Sequence, residues 1–283
     1  MTDRNAEQRD FWSTGPGRYW VSRQEDMDLL FRPMTEALDR VVGPRTGMEI
    51  VDIGCGAGGT SLHFADRVGA SGRVTGLDIS APLVEKCRQR AREQGCGNVS
   101  FVLGDAQVHP FAEGSADTVV SRFGVMFFED TGAAFANLAR ALKPGGRMVF
   151  ATWAAGPKNP WFTMPRDAMI DFFGDMPAVD PDAPGPMALR DVDRVCGLLA
   201  GAGLANVSGQ EMSVPIHHPG GLEAALDVQR EIGPIQRAMA DRGASVADRE
   251  TIIDGLRGRF AGFAHDGGID IPAAINIFSA HRP

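Results

Sequence analysis

The sequence has few cysteines, a single tyrosine and no long uncharged apolar run. Its four cysteines, Cys55, Cys87, Cys96 and Cys196, lie far apart and form no C-x-x-C pair, which excludes a disulfide framework and a common zinc-binding spacing. No apolar stretch reaches membrane-spanning length, and the first residues lack the basic and apolar regions of a secretion signal. We therefore expect a cytoplasmic protein with reduced thiols and no membrane insertion.

The chain also lacks an excess of positive charge. Its formal net charge is −8, so no electrostatic footprint for nucleic acid is present. The densest basic run, residues 86–93, contains Lys86, Arg88, Arg90 and Arg92. These side chains would spread around a helix, and we predict that they form a solvated face.

Length and patterning predict the fold class. A chain of 283 residues with 43% hydrophobic content can bury one sizeable core. From about residue 48, short β-branched runs alternate with helical stretches, which predicts an α/β fold with a doubly wound, mostly parallel seven-stranded sheet and a helical cap. The predicted strands are 48–54, 72–80, 99–106, 116–124, 146–153, 204–216 and 271–281. We expect an N-terminal helical lid segment at 1–44 and one domain at 45–283, with cap insertions at about 154–190 and 215–268.

The stretch "IVDIGCGAGGTSLHF", residues 50–64, reads as a buried strand, a glycine turn and a helix. Gly54, Gly56 and Gly59 fit the G-x-G-x-x-G pattern of dinucleotide-binding folds, whereas Gly54, Gly56 and Gly58 fit a tighter G-x-G-x-G. The glycines alone leave both patterns open.

Asp52 favours a ligand without phosphate. A carboxylate two positions before Gly54 would repel a pyrophosphate at the following helix N-terminus and would attract a cation. S-adenosylmethionine carries a sulfonium and an ammonium but no phosphate. A cap on the following turn is the structural alternative for Asp52. A short-chain dehydrogenase would need a Tyr-x-x-x-Lys after the fourth strand, but the only tyrosine is Tyr19.

Two further acids lie at the ends of the second and third predicted strands. Asp78 lies 20 residues beyond Gly58, where a carboxylate can accept both ribose hydroxyls of a nucleotide. Ile79 would then form an apolar shelf for adenine. In "GDAQ", Asp105 could accept the adenine amino group and the Ala106 amide could reach a ring nitrogen. All three acids should line one crevice, because ligands bind at the carboxyl ends of parallel strands.

The chain resembles the class I S-adenosylmethionine-dependent methyltransferases, through "VDIGCGAGG", "GLDIS", "LGDAQVHPF", "SRFGVMFF" and "LKPGGRMVFATW". It is also similar to the ubiquinone and menaquinone C-methyltransferase relatives. The resemblance implies a Rossmann-like methyltransferase fold, S-adenosylmethionine as cofactor and no metal. With the N-terminal aromatic residues added, the implied cofactor-binding residues are Tyr19, Trp20, Asp52, Gly54, Gly56, Gly58, Asp78, Ile79, Asp105, Ala106, Ser121 and Arg122.

The acceptor is less well defined by the sequence. The aromatic residues and the long apolar C-terminal part favour a small, hydrophobic or aromatic acceptor. Arg122 could pair with a substrate carboxylate or form a salt bridge at the strand edge. His217 and His218 are the candidate catalytic bases, with exposed loop residues as the alternative. Residues 1–30 and 176–190 are expected to become ordered on cofactor binding. A nicotinamide-dependent oxidoreductase and an inactive cofactor-binding module remain the alternative functions.

Overall fold

A computed structural model describes residues 5–174, 176–177, 180–232 and 234–283. Its strands are β1 Glu49–Ile53, β2 Arg73–Asp78, β3 Val99–Leu103, β4 Ala116–Arg122, β5 Leu142–Trp153, β6 Ala205–Ser213, β7 Ile216–His218, β8 Ala264–His265, β9 Gly268–Ile271 and β10 Ala274–His281. Its α-helices are α1 Ala6–Ser13, α2 Gly15–Ser22, α3 Gln24–Val42, α4 Gly59–Val68, α5 Ala81–Glu93, α6 Thr131–Ala141, α7 Pro160–Phe173, α8 Val192–Gly201, α9 Gly221–Glu231, α10 Pro234–Arg242 and α11 Val246–Phe260.

Seven strands form the central sheet in the order β3-β2-β1-β4-β5-β10-β6. Strands β1 to β5 pair in parallel, whereas β10 runs antiparallel to both β5 and β6. The predicted mostly parallel seven-stranded sheet is confirmed. Its short β-branched runs are buried, as expected where helices cover both faces of a parallel sheet.

Helix α3 belongs to the main core. Leu30, Met34 and Leu38 recur every four residues along one face, and each is fully buried. Because i and i+4 side chains share a helix face, this spacing produces a continuous apolar stripe. The N-terminal segment predicted as one unit therefore contains a core helix, α3, in addition to α1 and α2.

A second, three-stranded antiparallel sheet has the order β7-β9-β8. The strand predicted at 204–216 is confirmed as β6, but it ends at Ser213, because Ile216 begins β7 of this second sheet. The strand predicted at 271–281 is confirmed as β10, but it begins at Ala274, because Ile271 is the last residue of β9. Pro215 and Pro272 stand at the two breaks, where a residue without a backbone N–H cannot continue a hydrogen-bonded ladder.

The helices add no membrane-crossing element. Within the described ranges, none is long and apolar enough to span a bilayer.

Candidate functional site

The glycine turn between β1 and α4 follows the tighter of the two patterns. Gly54, Gly56 and Gly58 adopt φ angles of 63°, 56° and 88°, in the left-handed region that favours glycine. Gly59 is the first residue of α4 and is needed for a different reason, since a Cβ there would lie 2.3 Å from Asp28 Oδ1. The turn is thus built on G-x-G-x-G, and the fourth glycine permits close packing against α3.

Asp52 is fully buried beneath this turn. Ser61 donates its hydroxyl to Asp52 Oδ2 over 2.6 Å, whereas Asp52 Oδ1 has no hydrogen-bond partner among the described residues. Burial raises the pKa of this carboxyl to about 7, against the lowering effects of Ser61 and of the positive charge on Arg122. A buried carboxylate with an unpartnered oxygen fits a cationic ligand group.

Asp78, at the end of β2, holds the glycine turn directly. Its Oδ2 accepts the Gly56 N–H over 2.8 Å and its Oδ1 accepts the Ser80 N–H over 2.9 Å. Burial raises the pKa of Asp78 to about 6, partly offset by the backbone N–H groups of Ser80, Gly56 and Ile79. The second-strand acid and the glycine turn therefore form one unit, which the sequence analysis treated as separate motifs.

The third-strand acid is paired with the N-terminal segment. Asn5 Nδ2 donates to Asp105 Oδ2 over 2.9 Å, and the Gln107 N–H donates to Asp105 Oδ1 over 2.9 Å. Ala106 is buried and its carbonyl accepts from Asn137 Nδ2 over 3.0 Å. Asn5 itself is buried. No motif in the sequence marks Asn5 as a contact of this site.

The backbone at the end of β4 packs directly against the backbone of the glycine turn. Ser121 donates its hydroxyl to the Ile53 carbonyl over 2.7 Å and accepts the Gly124 N–H over 3.1 Å. A Cβ at Gly124 would lie 2.5 Å from the Ile53 oxygen, so only glycine fits there. This close approach places the residues that follow β4 beside the turn.

Aromatic rings form a continuous cluster next to the turn. Phe123 stacks on Trp153 with ring centroids 4.2 Å apart, and Phe31 meets both rings edge-on. Trp20 continues the cluster, and its Nε1 lies 3.7 Å from the position that a Cβ on Gly56 would occupy. We call the following residues the aromatic cluster: Trp12, Trp20, Phe31, Phe123, Phe127, Trp153 and Phe162.

Comparison with known proteins agrees with this arrangement. Residues 50–146 match the family described as "Methyltransferase domain". The ubiquinone/menaquinone biosynthesis C-methyltransferase UbiE of Cellvibrio japonicus is 32% identical over 181 residues, which cover 60% of this chain and 72% of that protein. The chain belongs to the S-adenosylmethionine-dependent methyltransferases. The comparisons give no support to the nicotinamide-dependent or inactive alternatives.

Other relatives match over a shorter part. The nocamycin O-methyltransferase of Saccharothrix syringae is 38% identical over 136 residues, 45% of this chain and 49% of that protein. The aklanonic acid methyltransferase DauC of Streptomyces sp. is 37% identical over 122 residues, 43% of this chain and 56% of that protein. The chain thus spans about half the length of these curated relatives.

Solved structures agree with the methyltransferase fold. The YcgJ protein of Bacillus subtilis superposes with a TM-score of 0.56 at 20% identity, covering 88% of this chain and 97% of that one. Phosphoethanolamine N-methyltransferase 2 of Haemonchus contortus, solved with S-adenosyl-L-methionine, gives 0.57 at 20% identity and covers 88% and 52% of the two chains. At this identity the likeness shows the fold.

In the basic run at residues 86–93, one side chain is less exposed to solvent than predicted. Arg90 was predicted on a solvated face, but its side chain is only 11% exposed. Its Nη1 donates to the Ala57 carbonyl over 2.5 Å and its Nη2 contacts Asp28 Oδ2 over 2.6 Å. Arg90 therefore links the glycine turn to α3, where both charges are satisfied. Helical periodicity alone could not show that this face of α5 meets another element.

Two cysteines that are distant in sequence meet beside the turn. The Cys55 and Cys87 Sγ atoms lie 4.0 Å apart, both are free and buried, and Cys87 donates to the Gly56 carbonyl over 2.9 Å. The hydrogen bond with Cys87, together with burial, raises the pKa of the Cys55 thiol well above its ordinary value. These thiols act as packing groups around the turn.

The loop position expected for the two candidate bases, His217 and His218, is wrong, because both lie on strand β7. A catalytic role for either of them stays a prediction. His218 is buried; its Nδ1 accepts the Gly220 N–H over 3.0 Å and its Nε2 lies 3.2 Å from Asp26 Oδ1. Both of its ring nitrogens are engaged. His217 Nδ1 lies 2.7 Å from Asp270 Oδ1, and His265 Nε2 lies 3.2 Å from Asp270 Oδ2.

The remaining predicted residues take ordinary positions. Tyr19 is half-buried on α2 and packs over Gly15, while Ile79 is half-buried directly after β2.

A cleft of about 570 Å³ is lined by Arg45, Thr118 and Arg147 among others. It lies at the amino ends of the strands, at the opposite edge of the sheet from Asp52 and Asp78.

Proposed function

We propose that this methyltransferase transfers a methyl group from S-adenosylmethionine to a small, hydrophobic or aromatic molecule. The observation that carries the proposal is the closeness of the aromatic cluster to the glycine turn, where Trp20 Nε1 lies 3.7 Å from the position that a Cβ on Gly56 would occupy. A cofactor seated on the turn would present its sulfonium methyl toward aromatic rings, which suit a flat acceptor.

The cofactor site is assigned to three strand ends. Asp78 would accept the ribose hydroxyls, with Ile79 as an apolar shelf, and Asp105 with the Ala106 amide would bind adenine. Gly54, Gly56 and Gly58 would allow close approach of the methionine portion, and Asp52 would attract its ammonium group. The backbone carbonyls of Ser121 and Arg122 complete that end, and Tyr19 and Trp20 would cover it. The unpartnered oxygen of buried Asp52 supports a cationic ligand there.

Catalysis in this proposal rests on alignment and exclusion of water. The bound cofactor supplies an electrophilic methyl group. Phe123, Trp153 and Phe31 are each at most 8% exposed, so these rings would keep water from the reacting region and would restrict the acceptor to one face. Positioning of this kind can contribute many orders of magnitude to a bimolecular displacement.

His217 is the better of the two candidate bases. With Nδ1 bound to Asp270, the imidazole is oriented in the manner of a carboxylate–histidine pair, and its Nε2 has no partner among the described residues. His218 lacks a free ring nitrogen. If the acceptor must lose a proton, we assign that role to His217, and we assign His218 to anchoring β7 on α3.

The curated relatives support the acceptor class. Their names specify ubiquinone and menaquinone biosynthesis, nocamycin and aklanonic acid. By this analogy the acceptor is a small molecule of secondary or quinone metabolism. We further propose a cytoplasmic location and no nucleic-acid partner. In this proposal α1, α2 and residues 176–190 form a lid, and the helical cap lies at about 154–190 and 215–268. Residues 1–4, 175, 178–179 and 233 of the expected lid and cap lie outside the described residues.

A labelled-methyl assay tests the proposal. The purified chain is incubated with S-adenosylmethionine carrying a ¹³C methyl group and a panel of flat hydroxylated aromatics, quinols and aromatic acids. The expected result is an acceptor mass increased by one labelled methylene, together with S-adenosylhomocysteine. The proposal would be contradicted if the chain bound or hydrolysed S-adenosylmethionine but transferred the methyl group to no acceptor, in the panel or in a cell extract.

A further inference from the structure

Two histidines and one aspartate meet on the second sheet, away from the strand ends assigned to the cofactor. His217 lies on β7, His265 on β8 and Asp270 on β9, the strand between them. His217 Nδ1 lies 2.7 Å from Asp270 Oδ1, and His265 Nε2 lies 3.2 Å from Asp270 Oδ2. One donor atom from each of the three side chains lies within 4.8 Å of the other two.

The register of the three strands produces this arrangement. His217 stands directly opposite Asp270, and His265 stands opposite Gly268. Positions 268 and 270 are two residues apart on β9, so they share one face of the sheet with the residues opposite them. Gly268 has no side chain, which leaves room for the His265 ring to reach Asp270. The three side chains therefore lie on one face of three adjacent strands.

The contacts of Asp270 differ from those of the other aspartates that contact a histidine. In the described part of the chain, each of those carboxylates also binds an arginine: Asp39 contacts His63 and Arg67, and Asp26 contacts His218 and Arg23. No lysine or arginine among the described residues contacts Asp270, and a second histidine takes that place. The side chains of His217, His265 and Asp270 are 36% to 47% exposed, so a dissolved cation can reach them.

This set of donor atoms suits a divalent transition metal. Imidazole nitrogen and carboxylate oxygen bind Zn²⁺ at about 2.0–2.2 Å, so two ligand atoms of a tetrahedral ion lie about 3.3 Å apart. The two gaps at Asp270, 2.7 Å and 3.2 Å, are close to this value, and small side-chain rotations are enough to admit the ion. Nitrogen ligands favour Zn²⁺, Co²⁺ or Ni²⁺, whereas Mg²⁺ and Ca²⁺ prefer oxygen ligands alone.

We propose that His217, His265 and Asp270 form a three-ligand site for Zn²⁺ or a similar divalent transition metal, with water in the remaining position. Each histidine gives the lone pair of its contacting nitrogen to the metal and carries its proton on the other ring nitrogen. For His265 this ends the contact in which the Gly267 N–H donates to Nδ1 over 3.1 Å.

The metal site goes beyond the proposed function and does not depend on it. Its ligands belong to the second sheet, whereas the cofactor is assigned to strand ends of the central sheet. With metal on Nδ1, His217 carries its proton on Nε2. The metal-loaded chain therefore could not use His217 as a base.

Calorimetry of the untagged full chain with ZnCl₂ tests the site. We expect one Zn²⁺ per chain with a dissociation constant in the micromolar range, and no heat of binding with MgCl₂. His265→Ala and Asp270→Asn should each weaken Zn²⁺ binding roughly tenfold or more, because each removes a ligand. His63→Ala is the matched control, since it removes a half-buried histidine from a pair that includes an arginine, and it should leave Zn²⁺ binding unchanged.

Two further readouts identify the ligands. Co²⁺ should give visible bands of nitrogen and oxygen ligation, without the near-ultraviolet charge-transfer bands of a cysteine thiolate. Zn²⁺ should raise the Tm of the unmodified chain, because the three strands bring the ligands together only in the folded state. His265→Ala should lose this increase in Tm.

Three results would overturn the proposal: no Zn²⁺ binding by the unmodified chain, thiolate bands with Co²⁺, or unchanged Zn²⁺ affinity in either His265→Ala or Asp270→Asn. Circular dichroism checks that each variant is folded. The stoichiometry and the Co²⁺ spectrum of the unmodified chain decide the question even if a variant does not fold.

Discussion

Asn5 donates a side-chain N–H to Asp105, the carboxylate assigned to the adenine amino group, over 2.9 Å. Asn5 Oδ1 in turn accepts the Glu129 N–H over 2.8 Å, so both ends of the amide are held. An adenine amino group is also an N–H donor. Asn5 therefore uses the acceptor that we assign to adenine, and we expect its side chain to compete with adenine for Asp105.

Replacing Asn5 should remove this competition. We expect Asn5→Ala to tighten binding of S-adenosylhomocysteine roughly threefold to tenfold, the value of one hydrogen bond. Calorimetry measures the change, with Gln89→Ala on the exposed face of α5 as the control. Weaker binding by Asn5→Ala would mean that Asn5 assists the bound cofactor.

The lid assignment makes a separate prediction. Hydrogen exchange of α1, α2 and residues 180–190 should slow when S-adenosylhomocysteine is added, because these segments close over the site. Exchange in α3 should stay slow in both states, since its apolar face is fully buried. Identical exchange in α1 and α2 with and without ligand would show that they are fixed parts of the fold.

Asp78 connects ribose binding to pH. Asp78→Asn should weaken S-adenosylhomocysteine binding about tenfold to a hundredfold at pH 8, because it removes a charged acceptor. The pKa of Asp78 is raised to about 6, so the unmodified chain should also lose affinity as the pH falls from 8 to 5. The variant should show less of this loss, and Asp66→Asn, at an exposed position, should behave like the unmodified chain. Unchanged affinity in Asp78→Asn would place the ribose elsewhere.

The raised pKa of Asp52 should make the folded chain less stable at high pH. Its pKa is about 7 in the folded chain against an ordinary value of 3.8, so the folded state binds this proton more tightly than the unfolded state. The stability that this proton contributes is complete below about pH 4 and is lost as the pH rises through 7.

The variant Asp52→Asn keeps an acceptor for Ser61 and never carries the buried charge. Without cofactor, its Tm relative to the unmodified chain should therefore rise by roughly 5 °C between pH 5 and pH 8. Thermal unfolding at both values measures this difference. An equal Tm difference at the two pH values would show that Asp52 does not change its protonation in that range.

Much of the fold could be predicted because it depends on local patterns. Asp52 and Asp78 lie at the ends of β1 and β2, and the glycines at 54, 56 and 58 follow β1. Parallel strands bring their carboxyl ends to one edge of the sheet. The strand boundaries at Pro215 and Pro272 were missed because the apolar pattern continues through both prolines. The pairing of β7 and β9 in a second sheet depends on tertiary contacts, which the local apolar pattern does not encode.

The site contacts that the sequence did not reveal come from long-range packing. Asn5 reaches Asp105 across 100 residues, and Arg90 reaches Asp28 across 62. Neither residue carries a motif, and Arg90 follows the periodicity of an exposed helix face. Cys55 and Cys87 meet for the same reason, since the turn and α5 approach each other only in the folded chain.

His217 gives the mechanistic prediction. If it is the base, His217→Ala should lower turnover by roughly a hundredfold to ten-thousandfold while cofactor affinity stays intact. His218→Ala should instead lower the Tm, because it removes the buried contact with Asp26 on α3. Full activity of the variant with both His217→Ala and His218→Ala would show that catalysis rests on the alignment of cofactor and acceptor alone.

The central claim is that the glycine turn with Asp52 and Asp78 holds a cationic adenosyl ligand and not a dinucleotide. Calorimetry of the purified full chain with S-adenosylmethionine, S-adenosylhomocysteine and NAD tests it most directly. We expect dissociation constants in the micromolar range or tighter for both adenosyl ligands and no heat of binding with NAD. Binding of NAD without binding of either adenosyl ligand would contradict the account.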